Sequence, residues 1–186
     1  MTKLTRILKN ISLSIIVACS LPAFADESSP TFSSNLAHKR LLTEITLIKD
    51  RLVSVGERGH IITSTDGQIW KQANVPVDVL LTSVSFKDEN VGFAVGHDST
   101  ILKTVDGGDT WSLLNFQPEL DRPLLAVQAL NNYVVAVGAY GAFWQSDDGG
   151  ENWKNIFHDG LLQPEDKEYL DELKVSDPKQ YKNEQT

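Results

Sequence analysis

The stretch Thr104-Val105-Asp106-Gly107-Gly108-Asp109-Thr110-Trp111 returns as Ser146-Asp147-Asp148-Gly149-Gly150-Glu151-Asn152-Trp153. A shorter form, Ser64-Thr65-Asp66-Gly67-Gln68-Ile69-Trp70, lies upstream. The closing tryptophans are 41 and 42 residues apart. A Val-Gly pair precedes each copy (Val55-Gly56, Val95-Gly96, Val137-Gly138), at spacings of 40 and 42 residues. A period near 40 residues means repeated supersecondary units, and it limits the chain to repeat architectures.

The chemistry of this Asp box is turn chemistry. A hydroxyl residue, Asp and Gly between two apolar runs signal a hairpin. Asp accepts hydrogen bonds from the N–H groups of its own turn, Gly takes a positive φ, and Trp buries a large apolar surface where the next strand begins. Ser64, Asp66, Gly67 and Trp70 are therefore read as structural, as are Thr104, Asp106, Gly107 and Trp111, and Ser146, Asp148, Gly149 and Trp153. An EF-hand would need a longer run of oxygen ligands ending in Glu, so calcium is not expected.

Between the boxes the pattern resolves into four short strands per unit. The first unit reads Leu41–Ile48, Arg51–Gly56, His60–Thr65 and Ile69–Val75. The second reads Leu80–Phe86, Val91–Gly96, Thr100–Val105 and Trp111–Phe116, and the third Leu124–Leu130, Tyr133–Gly138, Ala142–Ser146 and Asn152–Phe157. Such a meander is half apolar on both faces and cannot bury both alone. Radial stacking solves this, so the expected fold is all-β: an incomplete β-propeller of three four-stranded antiparallel blades with a short C-terminal helix. The blades are placed at 37–76, 77–117 and 118–158. A parallel β-helix is the alternative, but its repeats are far shorter.

The flanks differ in character. Residues 1–25 read as a secretory signal, with Lys3, Arg6 and Lys9, an apolar run from Ile11 to Leu21, and Ala23-Phe24-Ala25 as the cleavage pattern. A competing reading takes Ile16-Val17-Ala18-Cys19 as a lipobox with Cys19 lipidated. Both send the protein out of the cytoplasm, to a periplasm or another exported compartment. Residues 26–36 read as a flexible lead-in. Residues 159–186 read as an acidic helix, with Leu162, Tyr169, Leu170 and Leu173 in an apolar stripe, stopped by Ser176-Asp177-Pro178 and followed by a polar tail. The helix either covers part of the open blade face or belongs to an insertion in a longer, truncated propeller.

Charge and composition narrow the function. The net charge is −8, and the three bases and no acids of residues 1–25 leave 14 bases against 25 acids beyond them. That balance disfavours nucleic acid and anionic membrane surfaces and favours a protein partner. Cys19 is the only cysteine, so no internal disulfide is expected. His38, His60, His97 and His158 show no metal-ligand spacing, and no Gly-x-Ser-x-Gly elbow or phosphate loop is present, so neither metal nor cofactor is expected.

The repeat Val-Gly-x-x-Gly-x-Ile followed by Ser-x-Asp-Gly-Gly-x-x-Trp resembles that of the photosystem II stability/assembly factor family. Val55-Gly56-Glu57-Arg58-Gly59-His60-Ile61 carries the motif. Val95-Gly96-His97-Asp98-Ser99-Thr100-Ile101 has Ser99 for Gly, and Val137-Gly138-Ala139-Tyr140-Gly141-Ala142-Phe143 is looser at its end. The resemblance spans residues 37–158. It implies an extracytoplasmic seven-bladed propeller, of which three blades are encoded here. It also implies a non-catalytic assembly factor that binds a reaction-centre subunit precursor, a membrane-protein assembly intermediate, through an arginine-rich patch. Beyond residue 25 the arginines are Arg40, Arg51, Arg58 and Arg122.

In a propeller the turns between second and third strands share one face, opposite the Asp boxes. Arg58, His60, His97, Asp98 and Tyr140 are therefore the candidate partner-binding residues. Two alternatives stand beside this reading. A sialidase-like glycoside hydrolase would need an arginine cluster and a tyrosine nucleophile, and of Tyr133, Tyr140, Tyr169 and Tyr181 only Tyr140 falls on a repeat loop. A fragment without activity would expose its open blade faces and self-associate.

Overall fold

The computed structural model describes residue 34, residues 36–158, residue 160 and residues 162–185. The signal reading at 1–25, the Cys19 lipobox and nearly all of the lead-in lie outside the described residues.

Three four-stranded antiparallel sheets follow one another along the chain. The first holds β1 (Leu42–Ile48), β2 (Arg51–Gly56), β3 (Ile61–Ser64) and β4 (Lys71–Gln72). The second holds β5 (Leu81–Phe86), β6 (Gly92–Gly96), β7 (Ile101–Thr104) and β8 (Ser112–Asn115). The third holds β9 (Leu124–Leu130), β10 (Tyr133–Gly138), β11 (Phe143–Ser146) and β12 (Lys154–Asn155). Strand order equals chain order in every sheet, so each is a meander, the propeller blade of the sequence analysis. The inner strand β1 packs on β5 and β5 on β9. The three blades form an unclosed propeller.

The outer strands are shorter than their sequence pattern suggests. The first and third fourth strands were expected over Ile69–Val75 and Asn152–Phe157, but β4 and β12 have two residues each. Before them the chain is still inside the box turn. After β4 it leaves the sheet: Asn74 N–H donates to Asp109 C=O at 3.0 Å, and Trp111 N–H donates to Asn74 C=O at 3.0 Å. The connector thus pairs with the second box, and Val75 and Val77 are buried there.

The Val-Gly motif has a steric cause. A Cβ on Gly56, Gly96 or Gly138 would fall on the carbonyl oxygen of Leu41, Leu80 or Pro123, the residue just before each inner strand. The next N–H (Glu57, His97, Ala139) donates to that same carbonyl at 2.9–3.0 Å. The φ of Gly56 and of Gly138 is extended, so it is close approach that demands glycine there. A register shift accompanies it in all three sheets, a bulge that ends the inner-strand pairing.

Two apolar cores lie between the blades, and each burial of an aliphatic side chain contributes roughly 1.5–3 kcal/mol. Val53, Val55 and Ile61 of the first blade meet Leu81, Val84, Ala94 and Leu102 of the second. Phe93, Val95 and Ile101 of the second meet Leu124, Val127, Val134 and Ala136 of the third. Inner strands add polar clasps. The Thr43 and Thr82 hydroxyls donate to the carbonyls of Leu81 (2.7 Å) and Leu124 (2.6 Å) in the next blade. Glu44 Oε2 accepts from Val84 N–H at 2.5 Å and Ser83 Oγ from Val127 N–H at 3.1 Å. A buried backbone N–H on a flank needs such a partner.

The C-terminal segment is more ordered than expected. Helix α1 runs Pro164–Ser176, and what was read as a polar tail is a second helix, α2 (Pro178–Glu184). Asp177 ends the first and caps the second: its carboxylate accepts from Lys179 N–H (3.1 Å) and Gln180 N–H (3.0 Å). Pro178, at the first position of α2, has no N–H to leave unpaired. Leu170 and Leu173 of the expected stripe are buried, and Tyr169 stays half exposed.

Gly96→Ala and Gly138→Ala should each destabilise the fold by about 1–3 kcal/mol, the usual cost of overpacking. Gly141→Ala meets open space, though its φ of 76° disfavours alanine, and should cost less. Urea midpoints of the three variants check the ranking.

Candidate partner-binding face

The boxes hold one end of the blades. Asp106 Oδ1 accepts from the N–H groups of Asp109 and Thr110, both at 3.0 Å, and Asp148 Oδ1 from those of Glu151 (3.0 Å) and Asn152 (2.9 Å). In the short first box, Asp66 Oδ1 accepts from Gln68 and Ile69, both at 2.8 Å. The hydroxyls of Ser64, Thr104 and Ser146 donate to these carboxylates and accept an N–H from the glycines. Gly67, Gly107 and Gly149 all have positive φ. Trp111 lies edge-on to Phe86 (6.0 Å) and Trp153 to Phe93 (5.9 Å); Trp111 is buried, and Trp70 and Trp153 are half buried. The carboxylates are committed to these turns. Burial alone would push Asp106 up, but the Thr110 side chain and N–H, the Thr104 hydroxyl and the Asp109 N–H hold it at about 2. The Asn152 N–H and amide, with the Ser146 hydroxyl, hold Asp148 well below the usual range, and the Ile69 and Gln68 N–H groups lower Asp66. Charge pairs bridge the blades at this end: Lys49 with Glu89 (3.2 Å), Arg51 with Asp109, and Lys103 with Glu151 (2.5 Å).

The opposite end carries the β2–β3 turns and their counterparts. Once the glycine of Val-Gly has let the chain pass the inner-strand carbonyl, the turn closes in one helical step. His60, Thr100 and Ala142 N–H groups donate back to Glu57, His97 and Ala139 carbonyls. The middle residue is forced left-handed: Arg58 (φ 56°), Asp98 (φ 57°) and Tyr140 (φ 56°). Non-glycine residues in this region are uncommon and cost free energy, and such strain clusters where side chains are put to use. The following residue anchors the turn to the next blade. Gly59 N–H donates to Val79 C=O at 2.6 Å, and Ser99 N–H and Oγ donate to Arg122 C=O at 3.0 and 2.9 Å. The middle side chain therefore stands at an equivalent point on each blade. Arg58 is exposed, Tyr140 is 78% exposed, and His97 and Asp98 are half exposed.

His60 is different. It is buried at 4% exposure, and its Nδ1 has no hydrogen-bond partner. It occupies the first position after the turn, where the other blades carry buried Thr100 and Ala142. Burial pushes its pKa down. Glu57 opposes this, and Arg40 and Arg58 add to it. It belongs to the packing beneath the face and offers no contact to a partner.

Sequence reasoning missed the connector between the second and third blades. Gln117 N–H donates to Asp98 C=O at 2.7 Å, and Asp121 (φ 46°) and half-exposed Arg122 follow on the same end. The signal was present in Asp121-Arg122-Pro123, a turn tripeptide ahead of a strand. Among the described residues, no group of three or more His, Cys, Asp or Glu side chains is arranged to hold a metal.

The repeated geometry has named counterparts. The family model described as "Photosynthesis system II assembly factor YCF48" matches residues 55–169. The chain belongs to this family. A relative from Synechococcus sp. named photosystem II assembly lipoprotein Ycf48 is 28% identical over 133 residues, covering 69% of this chain and 40% of the relative. The chloroplastic photosystem II stability/assembly factor HCF136 of Arabidopsis thaliana is 25% identical over 159 residues, covering 78% and 38%. The solved structure "YCF48 bound to D1 peptide" superposes with a TM-score of 0.54 at 25% identity, over 71% of this chain and 41% of that one. YCF48 from Cyanidioschyzon merolae gives a TM-score of 0.51 at 25% identity, over 63% and 40%. The chain thus spans about two fifths of the length of the curated relatives it matches.

Two acid-dependent losses of stability are expected. His60 is depressed when folded, so its contribution is complete above the unfolded value of about 6.5 and is lost as pH falls below that value and through the lower folded one. His60→Thr, which copies the second blade, should flatten the slope of stability between pH 7 and pH 5. Asp106 contributes above the unfolded value of about 3.9, and that is lost as pH falls toward about 2. Asp106→Asn should remove that second fall, read by urea denaturation across pH.

Proposed function

We propose that the chain is a non-catalytic assembly factor working outside the cytoplasm, and that it captures a protein segment on the face carrying Arg58, His97, Asp98 and Tyr140. The observation that carries the reading is the triple recurrence of a strained left-handed residue at one end of a family propeller. Each turn is built alike, yet each presents a different side chain: a cation, a carboxylate beside an imidazole, and an aromatic. That suits recognition of a peptide with mixed contacts, since aromatic and arginine side chains dominate binding energy at interfaces. The relative solved with a D1 peptide makes a D1-type segment of a reaction-centre subunit the first partner to try. The lipoprotein names of several relatives support export, with residues 1–25 as the address.

A catalytic role has less to rest on. The box carboxylates are consumed by their own turns, and Arg51 lies at the box end beside Asp109, away from Tyr140.

The test is titration of a fluorescent D1 peptide into the protein. Replacing Arg58, His97 and Tyr140 together with Ala should weaken binding at least tenfold, about 1.4 kcal/mol. His60→Thr, beneath the face, should leave binding within twofold. An unchanged affinity in the triple variant would refute the assignment of the face.

A further inference from the structure

The turn between β6 and β7 departs from its two counterparts at one residue. After the left-handed Arg58 and Tyr140 comes a glycine, Gly59 (φ 67°) or Gly141 (φ 76°), whereas Asp98 is followed by Ser99 (φ 52°). Among the described residues, Asp98-Ser99 is the one consecutive pair of non-glycine residues with positive φ. Serine is disfavoured in that conformation and glycine adopts it freely, so the serine side chain needs a use that offsets the strain.

The use lies in the connector to the third blade. Ser99 is 2% exposed. Its Oγ donates to Arg122 C=O at 2.9 Å, doubling the bond from Ser99 N–H to the same carbonyl at 3.0 Å. The equivalent anchor in the first blade is the bond from Gly59 N–H to Val79 C=O, with no side chain to reinforce it. The other end of the connector is tied to the same two residues. Asn115 Nδ2 donates to Ser99 C=O at 2.6 Å, and Gln117 N–H donates to Asp98 C=O at 2.7 Å. Gln117 Nε2 donates to Asn115 Oδ1 at 3.2 Å and joins the two ties. Both ends of the connector are thus clamped on Asp98-Ser99.

This connector has more need of a clamp than its counterpart. Leu81 follows Trp70 by 11 residues, and Leu124 follows Trp111 by 13. The shorter connector buries Val75 and Val77. The longer one makes a single helical turn at Pro118–Leu120 and passes through Asp121 at φ 46°, and none of residues 117–123 is buried. A loop without an apolar anchor depends on its hydrogen bonds and opens readily when one is lost. We propose that Ser99 is a positioning residue for partner capture: its hydroxyl fixes the connector beside His97 and Asp98, so that exposed Glu119 and Asp121 and half-exposed Arg122 belong to the binding face. The proposal rests on the partner-capture reading of that face.

Ser99→Gly and Ser99→Ala separate the hydroxyl from the strain. Both remove the hydrogen bond, but only glycine relieves the φ, and it fits because Gly59 and Gly141 hold the same place. The urea midpoint should stay or rise in Ser99→Gly and fall in Ser99→Ala. Affinity for the fluorescent D1 peptide should weaken alike in both, by roughly threefold to tenfold, the range of one ordinary hydrogen bond. Hydrogen exchange at the Gln117 and Leu120 amides of the free protein should quicken by a similar factor in Ser99→Gly, a readout that needs no partner. In a Cys19→Ser background, a fluorophore on Glu119→Cys should respond to added peptide. Unchanged exchange in Ser99→Gly would refute the clamp, and a silent label with peptide bound would refute the placement of the connector. If the Arg58, His97 and Tyr140 triple variant loses binding while Ser99→Gly keeps it, the face stands and this inference falls. If the triple variant also keeps it, the face itself is misplaced and the capture role of Ser99 falls with it.

Discussion

One carbonyl oxygen in each repeat sets the rest of the blade. The residue before the inner strand (Leu41, Leu80, Pro123) presses its C=O onto the glycine of Val-Gly, where no Cβ fits. The contact bulges the strand pair, aligns the next N–H onto the same oxygen and starts a one-step helical turn. The turn throws Arg58, Asp98 and Tyr140 into the left-handed region and outward. A steric requirement of the backbone thus leads to the surface that the family membership makes interesting. Side-chain identity is free there because backbone and glycine already do the holding.

Packing between blades supplies most of the stability and some of the register. Each sheet is apolar on both faces, so none is a folding unit alone. Clasps from Thr43, Glu44, Thr82 and Ser83 tie each inner strand to the next. The second glycine of the longer boxes works the same way. A Cβ on Gly150 would enter the Phe93 ring of the preceding blade, and Gly108 lies against Val53 and Thr63. The first box lacks that residue, which makes its loop shorter. Box chemistry and blade packing are therefore one system.

Most of the strands were legible because the period, the boxes and the Val-Gly pairs recur in register, and the central strands match their pattern within a residue. The outer strands of the first and third blades were not; in the first, alternation continues through Val75 while the connector bonds to the neighbouring box. Asp177-Pro178 was read as a stop, although the same pair is a good start for another helix. His60 sits in a turn motif and has a polar side chain, which suggested exposure. Its equivalence to Thr100 and Ala142 would have warned that this position faces inward. The connector carrying Asp121 and Arg122 was legible as a turn but not as part of the face, because only the Gln117 to Asp98 bond of the fold brings it there.

The sequence by itself determined the repeat, the box turns with their glycines and the end of the blade at which the β2–β3 turns emerge. Those follow from local sterics and period-two alternation, which need only neighbours in the chain. Tertiary structure decided which polar residues are buried and where the outer strands stop. These depend on what the next blade brings within hydrogen-bonding reach, and on contacts about 40 residues apart that no local pattern records.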